Sequence, residues 1–419
     1  MSRLRKNDPL RRLARRIGIG RLTLALRLLQ LPLRLPVRLV VAQIRRDPRL
    51  VVFGAPLDRF ADNAAYLFLS FSRSSELRCV WITGSRSLVA RLREAGYDAE
   101  LRTSLRGIRL CLQARWYVLT AYVSDINRWT SDGAKTLNLW HGVPLKRIER
   151  DILDESFAIL YRRRRPRSPL ALAVADDVRP PDALLSTSRL ISERCLSSAF
   201  GVPAERCLDF GYPRADHLFR AAANPPSDLL VSDTRIWSDL RAADFVVGYF
   251  PTWRDDDSAF MQRGGLTIEH LAAAVGAQGG VLVFKPHFNT AVESSPESGA
   301  VVLHPDDDLN AYLPLCSVLV TDYSSVAFDF LLLERPVLYF VPDLEDYRRR
   351  RGLYFEPEQL MPGPLLTTAD ELFDALAEAR REPAPDPRAA AVRDMVWDGY
   401  AGDAMPRLQR FLESDGALR

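Results

Sequence analysis

The chain of 419 residues has no run of 18 apolar residues, no two cysteines spaced as CxxC and no internal repeat. The first absence argues against a transmembrane helix, and the second against a zinc site of the usual pattern. Cysteines are few, odd in number and scattered at Cys79, Cys111, Cys195, Cys207 and Cys316, which fits a reducing compartment. A signal peptide is not expected either. The apolar segment near the N-terminus is broken by Arg21, Arg27, Arg34 and Arg38, and no small-residue cleavage site follows it. What is present is ordinary globular composition, 47% hydrophobic and 26% charged, which excludes a disordered or collagen-like chain and a small disulfide scaffold. The length suits two domains, with three as the upper expectation.

The charge is unevenly spread. Residues 1–46 hold 13 Lys/Arg against one acid, Asp8, while the other 373 residues hold 44 against 52. From Ile17 to Ile44, leucines and valines are interleaved with arginines, and the spacing of Arg27, Arg34 and Arg38 puts them on one helix face. Pro32 and Pro36 are expected to kink or divide that helix. Such an arm would lie at an anionic membrane surface, apolar side in the acyl boundary and arginines on lipid phosphates. A helix packed on the protein with a solvated basic face and a nucleic-acid arm are the alternatives. A second run, Arg162 to Arg165 with Arg167, would extend the basic side. The acidic remainder offers nucleic acid no track to follow, so none is expected as a partner.

The body alternates short, β-branched apolar runs with longer helical stretches. The runs are Leu50–Gly54, Cys79–Thr83, Tyr117–Tyr122, Thr136–Trp140, Leu184–Thr187, Phe245–Phe250, Val281–Lys285, Val301–His304, Val318–Thr321 and Val337–Val341. Helices are expected over Asn63–Ser72, Ser87–Ala95, Ile268–Gly276 and Ala369–Arg380. This alternation predicts an α/β fold with parallel sheets covered on both faces. Ala221–Asp228, with its Asn-Pro-Pro-Ser core, is the best linker. The expected organisation is a basic arm (1–46), a first α/β domain (47–220), a second (229–390) and a C-terminal helical segment (391–419) that would pack back on the first domain. Ligands of such folds bind in the crevice outside the carboxyl ends of the strands.

Five motifs lie just after strands. The first is Leu139-Trp140-His141-Gly142-Val143-Pro144-Leu145-Lys146. His141 has the right pKa range for a general base, and Gly142 permits a turn or a close approach. A structural histidine beside a Gly-Pro turn is the competing reading. In Gly211-Tyr212-Pro213-Arg214-Ala215-Asp216, Arg214 would clamp a phosphate or simply pair with Asp216. Pro251-Thr252-Trp253-Arg254 offers a hydroxyl, a stacking surface and a guanidinium; Asp255 to Asp257 reads as a solvated loop rather than a metal site. Lys285-Pro286-His287 suits a diphosphate, with His304 a weaker candidate. In Thr321-Asp322-Tyr323-Ser324-Ser325, a helix is expected to start near Ser325, and Ser324 and Ser325 would help bind an anion there. Asp329, on the same face, would accept from a ligand hydroxyl or face solvent.

These motifs, in this order from about residue 115 to 360, resemble the CDP-glycerol glycerophosphotransferase family, the enzymes that build teichoic acids and poly(glycerol phosphate) capsules. The resemblance continues through Arg335-Pro336, Tyr339, Asp343, Tyr347, Arg351-Gly352 and Tyr354-Phe355. Val143 stands where the family usually has Thr, and Phe288 where Pro is frequent; a lost hydroxyl at 143 would bear on donor or acceptor choice. The chain is closer in length to the compact primase-type members.

The resemblance implies a GT-B fold of two Rossmann-like domains, a donor held mainly on the second, and peripheral attachment to the cytoplasmic face of the membrane. It also implies a CDP-alcohol donor, CDP-glycerol or a relative, and a polyprenyl-diphosphate-linked saccharide acceptor. His141 would deprotonate the acceptor hydroxyl, and CMP would leave. Arg214, His287, Ser324 and Ser325 would stabilise the developing charge. Asp329 would hold a donor hydroxyl. Trp140, Gly142, Val143, Pro144, Lys146, Pro251, Thr252, Trp253, Arg254 and Lys285 would complete the substrate site. No metal or other cofactor is expected, although a divalent ion could accompany the donor. The rival readings are a GT-B glycosyltransferase using a nucleotide sugar and a catalytically silent envelope scaffold.

Overall fold

The structure is a computed structural model, and it describes residues 26–152, 179–219, 227–252, 263–285 and 299–416. Two all-parallel sheets organise the chain. The first holds β1 (Asp47–Gly54), β2 (Arg78–Thr83), β3 (Ala99–Leu101), β4 (Ala114–Leu119), β5 (Lys135–Asn138), β6 (Ala183–Ser186) and β7 (Cys207–Asp209) in the order β3-β2-β1-β4-β5-β6-β7. The second holds β8 (Val246–Tyr249), β9 (Val281–Phe284), β10 (Val301–Val302), β11 (Val318–Thr321), β12 (Val337–Phe340) and β13 (Leu365–Leu366) in the order β10-β9-β8-β11-β12-β13. In each sheet the order reverses once, between β1 and β4 and between β8 and β11. Those are the switch points at which loops part and leave a crevice.

The strands form where they do because their runs are apolar on both faces. Val51, Val52 and Phe53 of β1 are fully buried, with Val51 opposite Cys79 on one side and Trp116 on the other. Helices cover them, and several start at side-chain caps. Ser85, Ser104 and Thr267 each accept a backbone N–H, and Thr368 with Glu371 makes a capping box. One apolar cluster runs from Phe53 and Trp81 in the first domain through Leu319 and Phe330 in the second. The two sheets therefore share part of their core, and their carboxyl ends face each other.

The C-terminal segment crosses between the sheets. The helix Ala369–Arg381 packs on β12. In the next helix, Ala389–Trp397, the Trp397 indole donates to the Phe328 carbonyl at 2.9 Å. The last helix, Ala404–Glu413, lies against helices Asp62–Ser74 and Pro213–Leu218 of the first domain. Just beyond it, Asp415 pairs with Arg115 at 2.6 Å and Lys135 at 3.0 Å.

The N-terminal arm differs from the expectation in two ways. A turn at Gln30 divides helical residues 26–29 from the helix Leu31–Val41, which carries Pro32 in its first turn, where a missing N–H costs nothing, and which, against expectation, runs on through Pro36. Among the described residues, Arg34 and in part Arg38 also face inward. Arg34 donates to Asp132 at 2.6 Å and to the Arg128 carbonyl at 2.8 Å, and Arg38 reaches Asp132 at 3.1 Å. Arg27 and Arg34 are buried, so those two cannot lie on lipid phosphates. A buried carboxylate is a stronger partner for them than solvent. The outward face is apolar instead: Leu29, Leu33, Leu39 and Val40 are each more than 60% exposed. The run Arg162–Arg167 and residues 221–226 of the linker lie outside the described residues.

Candidate active site

A cavity of about 400 Å³ opens between the carboxyl ends of the two sheets, within the size range of small-ligand sites. Trp140, His141, Gly142, Val143, Pro144 and Lys146 line it from the first domain. Pro251, Thr252, Lys285, Ser324 and Ser325 line it from the second.

His141 is aimed by its neighbours. Trp140 adopts a left-handed backbone with φ of +52°, a conformation that costs a bulky residue ~1–3 kcal/mol. Two buried asparagines hold it there. The Trp140 N–H donates to Asn138 Oδ1 at 2.9 Å, and Asn63 Nδ2 donates to the Trp140 carbonyl at 3.0 Å. The Trp140 ring then lies against the His141 ring, centroids 3.9 Å apart. His141 Nδ1 sits 3.2 Å from the Thr120 carbonyl at the end of β4. A carbonyl only accepts, so Nδ1 carries the proton and Nε2 keeps its lone pair. The ring is open to the cleft, yet protein surrounds it on every other side. That desolvation pushes its pKa below the ordinary histidine value, with Arg214 and Lys146 acting in the same sense. The Asp62 charge and the Thr120 carbonyl oppose them.

Gly142 follows with φ of +143°. A Cβ at this position would lie 2.4 Å from Ser325 Oγ and 2.7 Å from Ser325 Cβ. The close approach expected of this glycine is thus made to the opposite domain. Val143 is fully buried, its side chain divided between cleft wall and core. Further along, Leu145 and Arg147 pair with the downstream segment: Tyr354 N donates to the Leu145 carbonyl at 2.9 Å and Arg147 N to the Gly352 carbonyl at 3.1 Å.

On the facing side, the loops after β8 and β11 brace each other. Thr252 N donates to both Asp322 oxygens, at 2.8 and 3.0 Å, and Thr321 Oγ1 donates to the Phe250 carbonyl at 2.7 Å. Tyr323 donates to Asp343 at 3.1 Å and stacks on Tyr347. The Asp343 and Tyr347 positions of the downstream motif therefore support the Tyr323-Ser324-Ser325 loop. Ser325 precedes the helix Val326–Phe330 without capping it through its side chain.

Three residues sit differently from their expected roles. Arg214 does not line the cavity. It is buried beneath Gly142, where Nε and Nη2 donate to Asp329 Oδ2 at 3.1 and 2.7 Å and Nη1 donates to Asp62 Oδ1 at 2.5 Å. Its donors are taken by two carboxylates, neither of them Asp216, so it ties the domains together rather than clamping a phosphate. Asp329 is likewise buried and does not line the cavity. Burial pushes its carboxyl up to about 6 despite the arginine beside it. Lys285 lines the cavity, but its ammonium donates to the carbonyls of His304, Pro305 and Asp307 at 2.9, 3.1 and 2.8 Å. The ring of His304 is 57% exposed and accepts from the Asp306 N–H at 3.1 Å. His287, Trp253 and Arg254 lie outside the described residues. Among the described residues, no three His, Cys, Asp or Glu converge as a metal site, and no helix is long and apolar enough to cross a membrane.

Sequence reading missed Arg59, Asp62 and Asn63, which leave β1 at the first switch point. Their only signal was that position. Asn63 links the two first-domain motifs, since its Oδ1 also accepts from Arg214 N at 3.3 Å.

Two Rossmann-like domains closing on a cleft at their switch points define a GT-B-like protein. A family model described as CDP-glycerol:poly(glycerophosphate) glycerophosphotransferase matches residues 37–413, and the chain belongs to that family. It is 30% identical over 297 residues to the teichoic acid poly(glycerol phosphate) polymerase of Bacillus subtilis (strain 168), a match over 68% of this chain and 38% of that protein. With the teichoic acid glycerol-phosphate transferase of Staphylococcus aureus (strain NCTC 8325 / PS 47) it shares 25% identity over 338 residues, 76% of this chain and 81% of the other. Among solved structures, a variant of the wall teichoic acid polymerase TagF superposes with a TM-score of 0.69 at 21% identity, covering 98% of each chain. A UDP-N-acetylglucosamine 2-epimerase from Listeria monocytogenes reaches 0.51 at 13% identity, over 88% of this chain and 96% of that one.

Proposed function

We propose that the chain transfers glycerol phosphate, or a related polyol phosphate, from a CDP-alcohol to a polyprenyl-diphosphate-linked saccharide acceptor and releases CMP. The observation that carries this reading is His141 with Nδ1–H on the Thr120 carbonyl, its other nitrogen free at a cleft lined by Ser324, Ser325 and Lys285. Nε2 takes the proton of the acceptor hydroxyl. The oxygen attacks the β-phosphorus in line, the new O–P bond forms, and the bond to the bridging oxygen breaks so that CMP departs. Ser324, Ser325 and His287 donate to the phosphoryl oxygens as charge builds. Arg214 and Asp329 act at one remove by holding the loops that carry these groups. The identity of the released nucleotide tests the reading: CMP supports it, whereas UDP or GDP would favour a sugar transferase.

Gly142 sets the gap across which this happens. Gly142→Ala is expected to lower kcat/KM by about ten- to a hundredfold, because the added Cβ must displace Ser325. Steady-state CMP release at matched protein stability measures it, and Gly142→Ala with wild-type kcat/KM would show that the gap does not matter.

The site of action fits the cytoplasmic face of the membrane. The outward leucines of the arm, rather than the buried Arg27 and Arg34, enter the acyl boundary. Burying a leucine side chain is worth roughly 1.5–3 kcal/mol, so the double variant Leu29→Glu, Leu33→Glu should lose about tenfold or more of its binding to vesicles with anionic lipid. Sedimentation with vesicles reads this, and undiminished binding would remove the arm from the interface.

A further inference from the structure

We propose that Arg59, from the first domain, is a donor-binding residue that pairs with Lys285 of the second domain to hold the diphosphate of the CDP-alcohol. This assignment rests on the donor class proposed above. Arg59 follows β1 on a turn (Pro56–Asp58) in which Leu57 and Asp58 are both left-handed. The Asp58 carboxylate fixes that turn by accepting from Gly84 N at 2.6 Å, from Thr83 Oγ1 at 3.0 Å and from Arg102. The guanidinium then crosses the cleft. Its Nη2 donates to the Pro305 carbonyl and, at 3.4 Å, to the Asp307 carbonyl.

Lys285 Nζ donates to the same two carbonyls. Two cations from opposite domains therefore converge on one pair of oxygens, and both side chains line the cavity. Like charges brought together in a partly desolvated wall repel each other, and the repulsion is felt at Lys285. Burial, with Arg59 adding to it, pushes the Lys285 pKa down to about 8. Carbonyl dipoles offset only part of that. Arg59 Nε is buried without a hydrogen-bond partner, the nearest carboxylate oxygen of Asp306 being 4.0 Å away. An anion of two charges, long enough to touch both cations, supplies the counter-charge that carbonyls do not and an acceptor for Arg59 Nε, and a diphosphate has that charge and span. A nucleoside monophosphate reaches fewer of them.

Calorimetric titration of the purified full chain with CDP-glycerol, CMP and inorganic pyrophosphate tests the assignment in wild type, Arg59→Gln and Arg59→Lys. Arg59→Gln should lose about tenfold or more in affinity for CDP-glycerol and pyrophosphate and about threefold or less for CMP, with Arg59→Lys in between. The KM for the donor should rise while kcat stays within about threefold of wild type. Equal losses for CMP and CDP-glycerol would reduce Arg59 to a brace for the 304–307 loop and overturn the proposal, as would unchanged CDP-glycerol binding in Arg59→Gln. A wild-type protein that binds pyrophosphate but neither cytidine nucleotide would instead overturn the donor class and leave the anion site standing.

Discussion

His141→Ala is expected to lose about a hundredfold or more in kcat while keeping its fold, because the imidazole faces the cleft and its ties to the protein are one Nδ1–H hydrogen bond and the contact with the Trp140 ring. The pH dependence should carry the signature of the same group. In the proposed mechanism the neutral ring is the active form, and burial lowers its pKa below the ordinary histidine value. The ring thus stays deprotonated at lower pH than a solvated histidine would. Turnover should rise with pH along an acid limb centred below about 6.5 and be level through neutrality. Lys146 is one of the charges depressing that pKa, so Lys146→Met should move the limb to higher pH. A kcat–pH profile of wild type and Lys146→Met would expose an error in this assignment if the wild-type limb lay above 7, or if it moved downward in the variant.

Arg214→Met should be the most damaging substitution for stability. It strands Asp329, which is nine-tenths or more buried, and removes one partner of Asp62. Breaking a buried ion pair from one side costs about 3–5 kcal/mol. Asp329→Asn is milder, because the amide oxygen still accepts from the guanidinium. Thermal unfolding followed by calorimetry should therefore rank the proteins wild type, Asp329→Asn, Arg214→Met. Equal melting of Arg214→Met and wild type would mean that the tie between the domains is not energetically used. Activity should fall in both variants, since Asp329 begins only four residues beyond Ser325 and Arg214 lies directly under Gly142.

The legible parts of this protein are those that local chemistry determines. Ten of the thirteen strands among the described residues stand out as apolar runs, most of them β-branched and buried on both faces. The three missed, β3, β7 and β13, are edge strands of two or three residues, too short to show any period. His141, Gly142, Thr252, Lys285, Ser324 and Ser325 were readable because each leaves the end of a strand, and the fold brings them to one cavity. What could not be read was partnership across the cleft. Arg214 and Asp329 have the chemistry of ligand-binding groups, and only the folded chain reveals that each occupies the other. The arm shows the same limit. A stripe of arginines looks solvated until Asp132, almost a hundred residues away, is seen to receive it. Asn63 and Arg59 carried no motif, since their importance comes from position at the switch point of the first sheet.

The most direct test of the central claim is the mass of the acceptor after reaction. Purified protein, CDP-glycerol and a detergent-solubilised lipid-linked disaccharide are incubated together, with His141→Ala alongside. The acceptor should gain whole glycerol phosphate units, with one CMP released for each and no gain in the variant. An acceptor that gains a sugar from a nucleotide sugar instead, or that grows equally well in His141→Ala, would contradict it.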